Sequence, residues 1–324
     1  MARTIVGVIR GGASSEYEHS LKTGGTMLSA LPEDAYDVRD ILVDKQGVWH
    51  ARGMPSQPAR ALSQIDVVLN ALHGGAGEDG TVQRIFERLS TPYSGSRATS
   101  SALAMNKVRA REALARVGIR MPRAVSFSVT NELNTGDMSR IVFAQFSPPY
   151  IVKPGTEGGS LGVMFVPTIL ELPDALGDTL DTYGTGIVEE YIMGEEAVVG
   201  VLQDFRHDPF YALPPAHVIV PSGRRYLEHG VRLGGEAKYV APSAFSHEEK
   251  RLLEDAARHA HSALKLSHYS SVDFILTKRG PILLEVDALP HLHDSASFHH
   301  MLDAVGISLR DFLQHVIELA KRGA

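Results

Sequence analysis

Cysteine is absent from all 324 residues. Disulfides, iron–sulfur clusters and thiol catalysis are therefore excluded, and a reducing compartment is the natural setting. Long apolar runs are missing as well. No stretch approaches the roughly 18 to 20 residues a membrane-spanning helix needs. The opening segment has a single five-residue apolar run, Ile5 to Ile9, that stops at Gly11-Gly12 and a charged stretch, which is not the pattern of a secretory signal. Basic charge is in deficit: 32 Lys and Arg against 38 Asp and Glu leave a formal net charge of -6. Neither a nucleic acid nor an anionic membrane is an expected partner. These absences together predict a cytoplasmic protein.

What is present begins with alternation. Thr4–Ile9, Tyr36–Val43 and Ile65–Leu72 read as short buried strands, and Ser20–Leu31 and Thr81–Leu89 as helices between and after them. This pattern predicts a doubly wound α/β unit over the first hundred residues. A helix is expected over Ser100–Val117, then strands separated by Gly- and Pro-rich turns up to about residue 240. Ser246 and Glu249 form a capping box that opens a long helix with Leu253, Ala257, Ala260 and Leu264 on its apolar stripe. A second amphipathic helix, carrying Leu309, Phe312, Leu313 and Val316, closes the chain.

Three segments carry chemistry. Ser271–Asp287 reads as two strands joined by a turn near Lys278-Arg279-Gly280. Side chains alternate along a strand, so Glu285 and Asp287 share a face, and Asp273 lies opposite Val272 and Phe274. Three converging carboxylates suit Mg²⁺, which also takes substrate phosphates. The spacing alone is equally compatible with the solvated face of an edge hairpin. Tyr150–Gly162 is a strand ending in Lys153, followed by a glycine-rich loop whose backbone N–H groups could cradle phosphate. It lacks the Gly-Lys-Ser/Thr of a P-loop. Gly75 to Gly80 matches G-x-G-x-x-G, but Glu78 and Asp79 would set two negative charges against a pyrophosphate, so a dinucleotide site is not expected.

Taken together, these segments resemble the D-alanine–D-alanine ligases over nearly the whole chain. The carriers are Gly11–Ser20, Ala71–Thr81, Met105–Arg109, Ile151–Pro154, Val188–Ile192 and the carboxylate hairpin. The resemblance implies an ATP-grasp fold of mixed α/β class: an N-terminal doubly wound domain (1–98), a small central lid (99–186) and a C-terminal mixed-sheet domain (187–324). It implies ATP and two Mg²⁺ ions as cofactors, with Mn²⁺ as a substitute, and a homodimer. Asp273, Glu285 and Asp287 fall at the metal ligands, the last usually Asn. Lys107, Lys153 and the loop Glu157, Gly158, Gly159 and Ser160 fall at the phosphates. Glu189, Glu190, Tyr191 and Ile192 fall at the adenine, and Glu196 at the ribose. Glu16 and His73 fall beside the first amino acid, with Lys238 and Tyr239 on a catalytic loop. Ser160, Ser295 and Ser297 fall near the substrates. The implied reaction forms D-alanyl-D-alanine for peptidoglycan precursors through an acyl phosphate.

Departures from the family pattern cluster in the amino-acid pocket. Gly159 stands where a serine is usual, Ser271 replaces an arginine, His291 a glycine and Ala296 a serine, and the segment Arg224 to Gly235 is longer. A serine at 271 cannot offer a cationic fork. A ligase for another amino or hydroxy acid, and a catalytically impaired nucleotide-binding homologue, are the alternatives. His291, His293, His299 and His300 also raise a transition-metal reading. With fifteen histidines in the chain, polar groups on a rewired loop and helix are the expected explanation.

Overall fold

In the computed structural model, residues 3–219 and 238–323 are described. Three sheets carry the motifs. The first contains β1 (Thr4–Gly11), β2 (Tyr36–Val43), β3 (Trp49–Ala51), β4 (Met54–Pro55) and β5 (Val67–Asn70) in the order β4-β3-β2-β1-β5. β1 runs parallel to both β2 and β5, as expected from strands buried on both faces. Its helices are α1 (Tyr17–Ala30), α2 (Pro58–Leu62) and α3 (Thr81–Arg88).

The helix expected over Ser100–Val117 is two helices, α4 (Ala98–Met105) and α5 (Lys107–Arg116). Asn106 breaks it: its backbone is extended and its side chain accepts the N–H of Arg109, capping α5. The stretch beyond, expected to be strands and turns, also holds α6 (Thr135–Gln145) and α7 (Leu172–Tyr183). Both carry ordinary boundary signals: Asn134 accepts the N–H of Asp137, while Pro173 opens α7 and Gly184 at φ 72° ends it. These helices cover an antiparallel sheet of β6 (Ala124–Ser128), β7 (Tyr150–Pro154), β8 (Met164–Val166) and β9 (Thr185–Glu190), ordered β6-β9-β7-β8.

The third sheet holds β10 (Glu195–Phe205), β11 (Asp208–Ala212), β12 (Ala216–Ile219), β13 (Lys238–Val240), β14 (Tyr269–Thr277) and β15 (Gly280–Asp287). β14 and β15 form the expected hairpin, with a bulge between Asp273 and Phe274. α8 (His247–Ala263) starts at the expected Ser246 capping box and buries Leu253, Ala257 and Ala260 against this sheet. α9 (Ser297–Asp303) and α10 (Leu309–Arg322) follow. Phe312, Leu313 and Val316 of α10 share one core with Val6 and Val8 of β1 and with Tyr269 and Phe298. The last helix thus joins the first sheet to the third, which holds their loops at a common cleft.

Two histidines beneath this architecture weaken it in acid. His261 is fully buried, with Nδ1 2.8 Å from Ser270 Oγ and Nε2 without a hydrogen-bond partner among the described residues. His268 Nδ1 accepts the N–H of Gly95 and so stands unprotonated. Burial lowers each to about 4. At these two sites the unfolded chain takes up protons below about pH 6.5 that the folded chain refuses, so their contribution to stability falls as pH drops from there to about 4. For His261 the loss approaches about 3 kcal/mol at pH 4. Across this window the melting temperature should fall by less, or rise by more, in His261→Leu than in the unmodified chain. An equal slope in that variant would refute the assignment.

Candidate functional site

The N-terminal part of the site is built at the carboxyl ends of β1 and β5, where ligands of open parallel sheets bind. Ser20 Oγ accepts the N–H of Gly11 and donates to the carbonyl of Ala71, tying the loop after β1 to the end of β5. Ser14 Oγ donates to the carbonyl of His73 and accepts the N–H of Glu16. These bonds fix Glu16 beside His73. His73 Nε2 lies 3.1 Å from Thr23 Oγ1 and Nδ1 3.4 Å from Glu78 Oε1.

Glu16 is buried, and its Oε2 lies 2.9 Å from His291 Nε2. Burial pushes its carboxyl up. The hydrogen bond and positive field of His291 outweigh that and hold it down at about 2. Glu78 behaves oppositely: burial and the Glu16 charge push it up to about 8, so it keeps its proton at neutral pH. Burial lowers His73 to about 4 and His293 to about 3, so both are neutral imidazoles.

The glycine loop comes down onto Glu16. Gly159 sits at φ 59°, and a Cβ there would lie 3.1 Å from Glu16 Oε1. The glycine that replaces the expected serine therefore permits both the left-handed turn and the close approach. Ser160 follows at φ 62°, an unusual conformation for a residue with a side chain.

Two cavities meet at the hairpin. The outer one, of about 530 Å³, is lined by Lys153, Ser160, Glu189, Tyr191, Ile192 and Glu196, and Glu190 also borders it. That volume suits a nucleotide-sized ligand. The inner one, of about 140 Å³, is lined by Glu16, Tyr239, Ser271, Asp287, His291 and Ser297, with Ser295 and Gly159 at its border. Asp273, Glu285 and Glu196 line both. Asp273 and Glu285 face each other across the β14–β15 ladder, and Asp287 accepts the N–H of Leu289 at 2.8 Å. Burial and the neighbouring Glu16 and Asp273 charges raise Asp287 well above the carboxylate range. Such a group of carboxylates could hold a hard divalent cation.

The lysines are held by acids. Lys153 Nζ lies 2.9 Å from Glu189 Oε2, and Arg111 holds the other oxygen at 2.9 Å. Lys107 Nζ donates to the carbonyl of Glu157 at 2.7 Å and pairs with Glu285. The break at Asn106 starts α5 on Lys107, whose own N–H donates to the carbonyl of Gly155. Glu190 is bound by Arg123 at 2.7 Å, and Tyr191 packs edge-on against Phe165.

Of the expected residues, Lys238 stands on β13 with its side chain exposed and lines neither cavity, because strand alternation gives the inward face to Tyr239. The loop from Arg224 to Gly235 and Glu236 lie outside the described residues. Sequence reasoning missed His19, Glu78 as a buried acid, and Arg111. Arg111 follows Lys107 by one helical turn and could have been suggested by that spacing. His299 and His300 stand apart: His299 Nδ1 is 3.3 Å from the carbonyl of Leu292, and His300 lies beside Tyr239.

A lysine-bearing strand with a glycine loop, closing over a carboxylate hairpin on a second sheet, defines an ATP-grasp enzyme. Family models for the D-ala D-ala ligase N-terminus and C-terminus match residues 50–96 and 101–318. The chain belongs to the D-alanine–D-alanine ligase family, whose members are ATP-dependent, ADP-forming ligases. It is 34% identical to the D-alanine–D-alanine ligase of Geobacter sulfurreducens, over 97% of this chain and 93% of that one. The ligase of Geotalea uraniireducens is 33% identical over 97% and 95%. Among solved structures, the VanG D-Ala:D-Ser ligase of Enterococcus faecalis superposes with a TM-score of 0.86 at 26% identity, covering 98% of this chain and 100% of that chain. The Bacillus anthracis D-alanine–D-alanine ligase complexed with ATP gives 0.81 at 27% identity, over 99% and 98%. Among the described residues no helix is long and apolar enough to cross a membrane.

Proposed function

We propose that this chain joins two D-alanine molecules, at the expense of ATP, for peptidoglycan precursors. The observation that carries the reading is the sharing of Asp273 and Glu285 by a nucleotide-sized cavity and a small acidic one. A phosphoryl donor in the first and a carboxylate acceptor in the second would meet at those two side chains.

Each residue then has a task. Glu189 to Ile192 border the adenine and Glu196 the ribose, while Lys153, Lys107 and the loop from Glu157 to Ser160 hold the phosphates. Asp273, Glu285 and Asp287 would hold Mg²⁺, which neutralises phosphate charge and aligns the transferred group. Glu16, ionised through its bond to His291, takes the ammonium of the first D-alanine. That amino acid's carboxylate accepts the phosphoryl group, and the second D-alanine's amine then displaces phosphate to form the amide. Tyr239, Ser295 and Ser297 border the second substrate. Most of the catalysis is positioning and charge neutralisation.

The working unit is a cytoplasmic homodimer with small-molecule substrates and no nucleic acid or membrane partner. Its three parts are the N-terminal domain 1–98, the central lid 99–186 and the C-terminal domain 187–324; β9, which spans the second boundary, pairs with β6 and β7. The altered inner cavity makes the second substrate the point to test. ADP release with ATP and Mg²⁺ should rise strongly on adding D-alanine alone. A rise only when D-serine or D-lactate is also present would redirect the reading to a mixed ligase. Background rates throughout would refute it.

A further inference from the structure

The inner cavity is acidic: Glu16, Glu78, Glu196, Asp273, Glu285 and Asp287 all border it. Among the described residues that line it there is no lysine or arginine. Among the described lining residues, the imidazoles of His19, His291 and His293 are the nitrogen donors. Those imidazoles are organised. His19 from α1 and His291 and His293 from the loop after β15 bring ring nitrogens within 4.8 Å of one another. His19 Nδ1 and His293 Nε2 face each other at 3.2 Å. With metal–nitrogen bonds of about 2.0–2.1 Å, two ligands of one ion lie about 2.9 Å apart at a right angle and about 3.4 Å at the tetrahedral angle, so 3.2 Å falls in the range of a shared ion.

The surroundings orient the rings for this use. His291 gives Nε2 to the Glu16 carboxylate at 2.9 Å, so Nδ1 is the nitrogen it would offer an ion, the carboxylate–histidine–metal arrangement that fixes ligand rings. His293 has Nδ1 3.1 Å from Ser295 Oγ, which turns Nε2 inward. His19 and His291 lie parallel with centroids 4.7 Å apart, so one of them must rotate for three nitrogens to converge.

We propose that His19, His291 and His293 form a binding site for a divalent transition metal such as Zn²⁺, its open fourth position facing the inner cavity. Three neutral nitrogen ligands select such an ion over Mg²⁺, which prefers oxygen. The open position takes the carboxylate of an amino-acid substrate. This last step rests on the ligase reading; the metal site does not.

Co²⁺ is the probe, added to untagged, chelator-stripped protein in excess Mg²⁺. One equivalent should bind and give the intense visible bands of a low-coordinate nitrogen site. His19→Ala and His293→Ala should each weaken binding by more than the roughly 10- to 100-fold that loss of a ligand's supporting partner costs. Asp273→Asn and His299→Ala should leave it unchanged. Should the histidine variants melt early, protection of His19 and His293 from diethylpyrocarbonate by Zn²⁺ in the unmodified sequence answers the same question. No bound Co²⁺, full binding in both histidine variants, or no protection would overturn the site. D-alanine without ATP should shift the bands; bands unmoved at saturation would remove the carboxylate step. No turnover is read, so failure here is distinct from failure of the ligase reading.

Discussion

Lys153→Met should lower ATP turnover by about 10²- to 10³-fold, the usual effect of removing one preorganised donor from developing charge. Lys153 is the lysine of the outer cavity wall among the described residues, almost completely buried at the end of β7. Methionine keeps most of the volume and removes the charge. The change also leaves Glu189, itself buried, with only Arg111 as its close ion-pair partner among the described residues. Breaking a buried pair outright costs about 3–5 kcal/mol, so some destabilisation is expected even with Arg111 retained. Adding Glu189→Gln should recover melting temperature without recovering turnover. Recovery of both would mean that Lys153 serves the fold and not the phosphates. Steady-state ADP release and thermal melting on the same preparations separate the two.

Asp273→Asn is the second large effect, and its two consequences point in opposite directions. Asp273 lines both cavities and faces Glu285 across the hairpin. Losing a charged oxygen ligand should reduce turnover by about 10²-fold at low Mg²⁺, with partial recovery as Mg²⁺ is raised. Stability without divalent ions should hold or rise, because Asp273 is one of the charges that push Asp287 upward. Catalytic sites commonly carry such a conflict between function and stability. A melting temperature that falls together with activity would assign Asp273 a structural role instead.

Much of this is legible in the sequence where the signal is local. The β14–β15 hairpin, the Ser246 capping box and the apolar stripe of α10 follow from alternation, capping chemistry and helical period. Local signals also exist at Asn106, Asn134 and Gly184, yet the apolar and Ala-rich pattern across them masks the break before α5 and imitates strands where α6 and α7 form. The site is harder. Pairing of Glu189 with Lys153 joins neighbouring strands of one sheet and can be guessed only with the strand order in hand. His19 lies on a helix far from His293 in the chain, and nothing in the period of α1 marks it as different from a core polar residue. Long-range convergence of that kind is a property of the fold, not of any window of sequence.

The reading of two cavities as one ligase is tested most directly by following an isotope. D-alanine labelled with ¹⁸O in its carboxylate, incubated with ATP and Mg²⁺, should give D-alanyl-D-alanine and ADP in equal amounts. Each released phosphate should carry one ¹⁸O, because the carboxylate oxygen that accepts the phosphoryl group leaves with it. Unlabelled phosphate would show that the carboxylate is not the acceptor, and ADP formed without dipeptide that no amine displaces the phosphate; either would contradict the account.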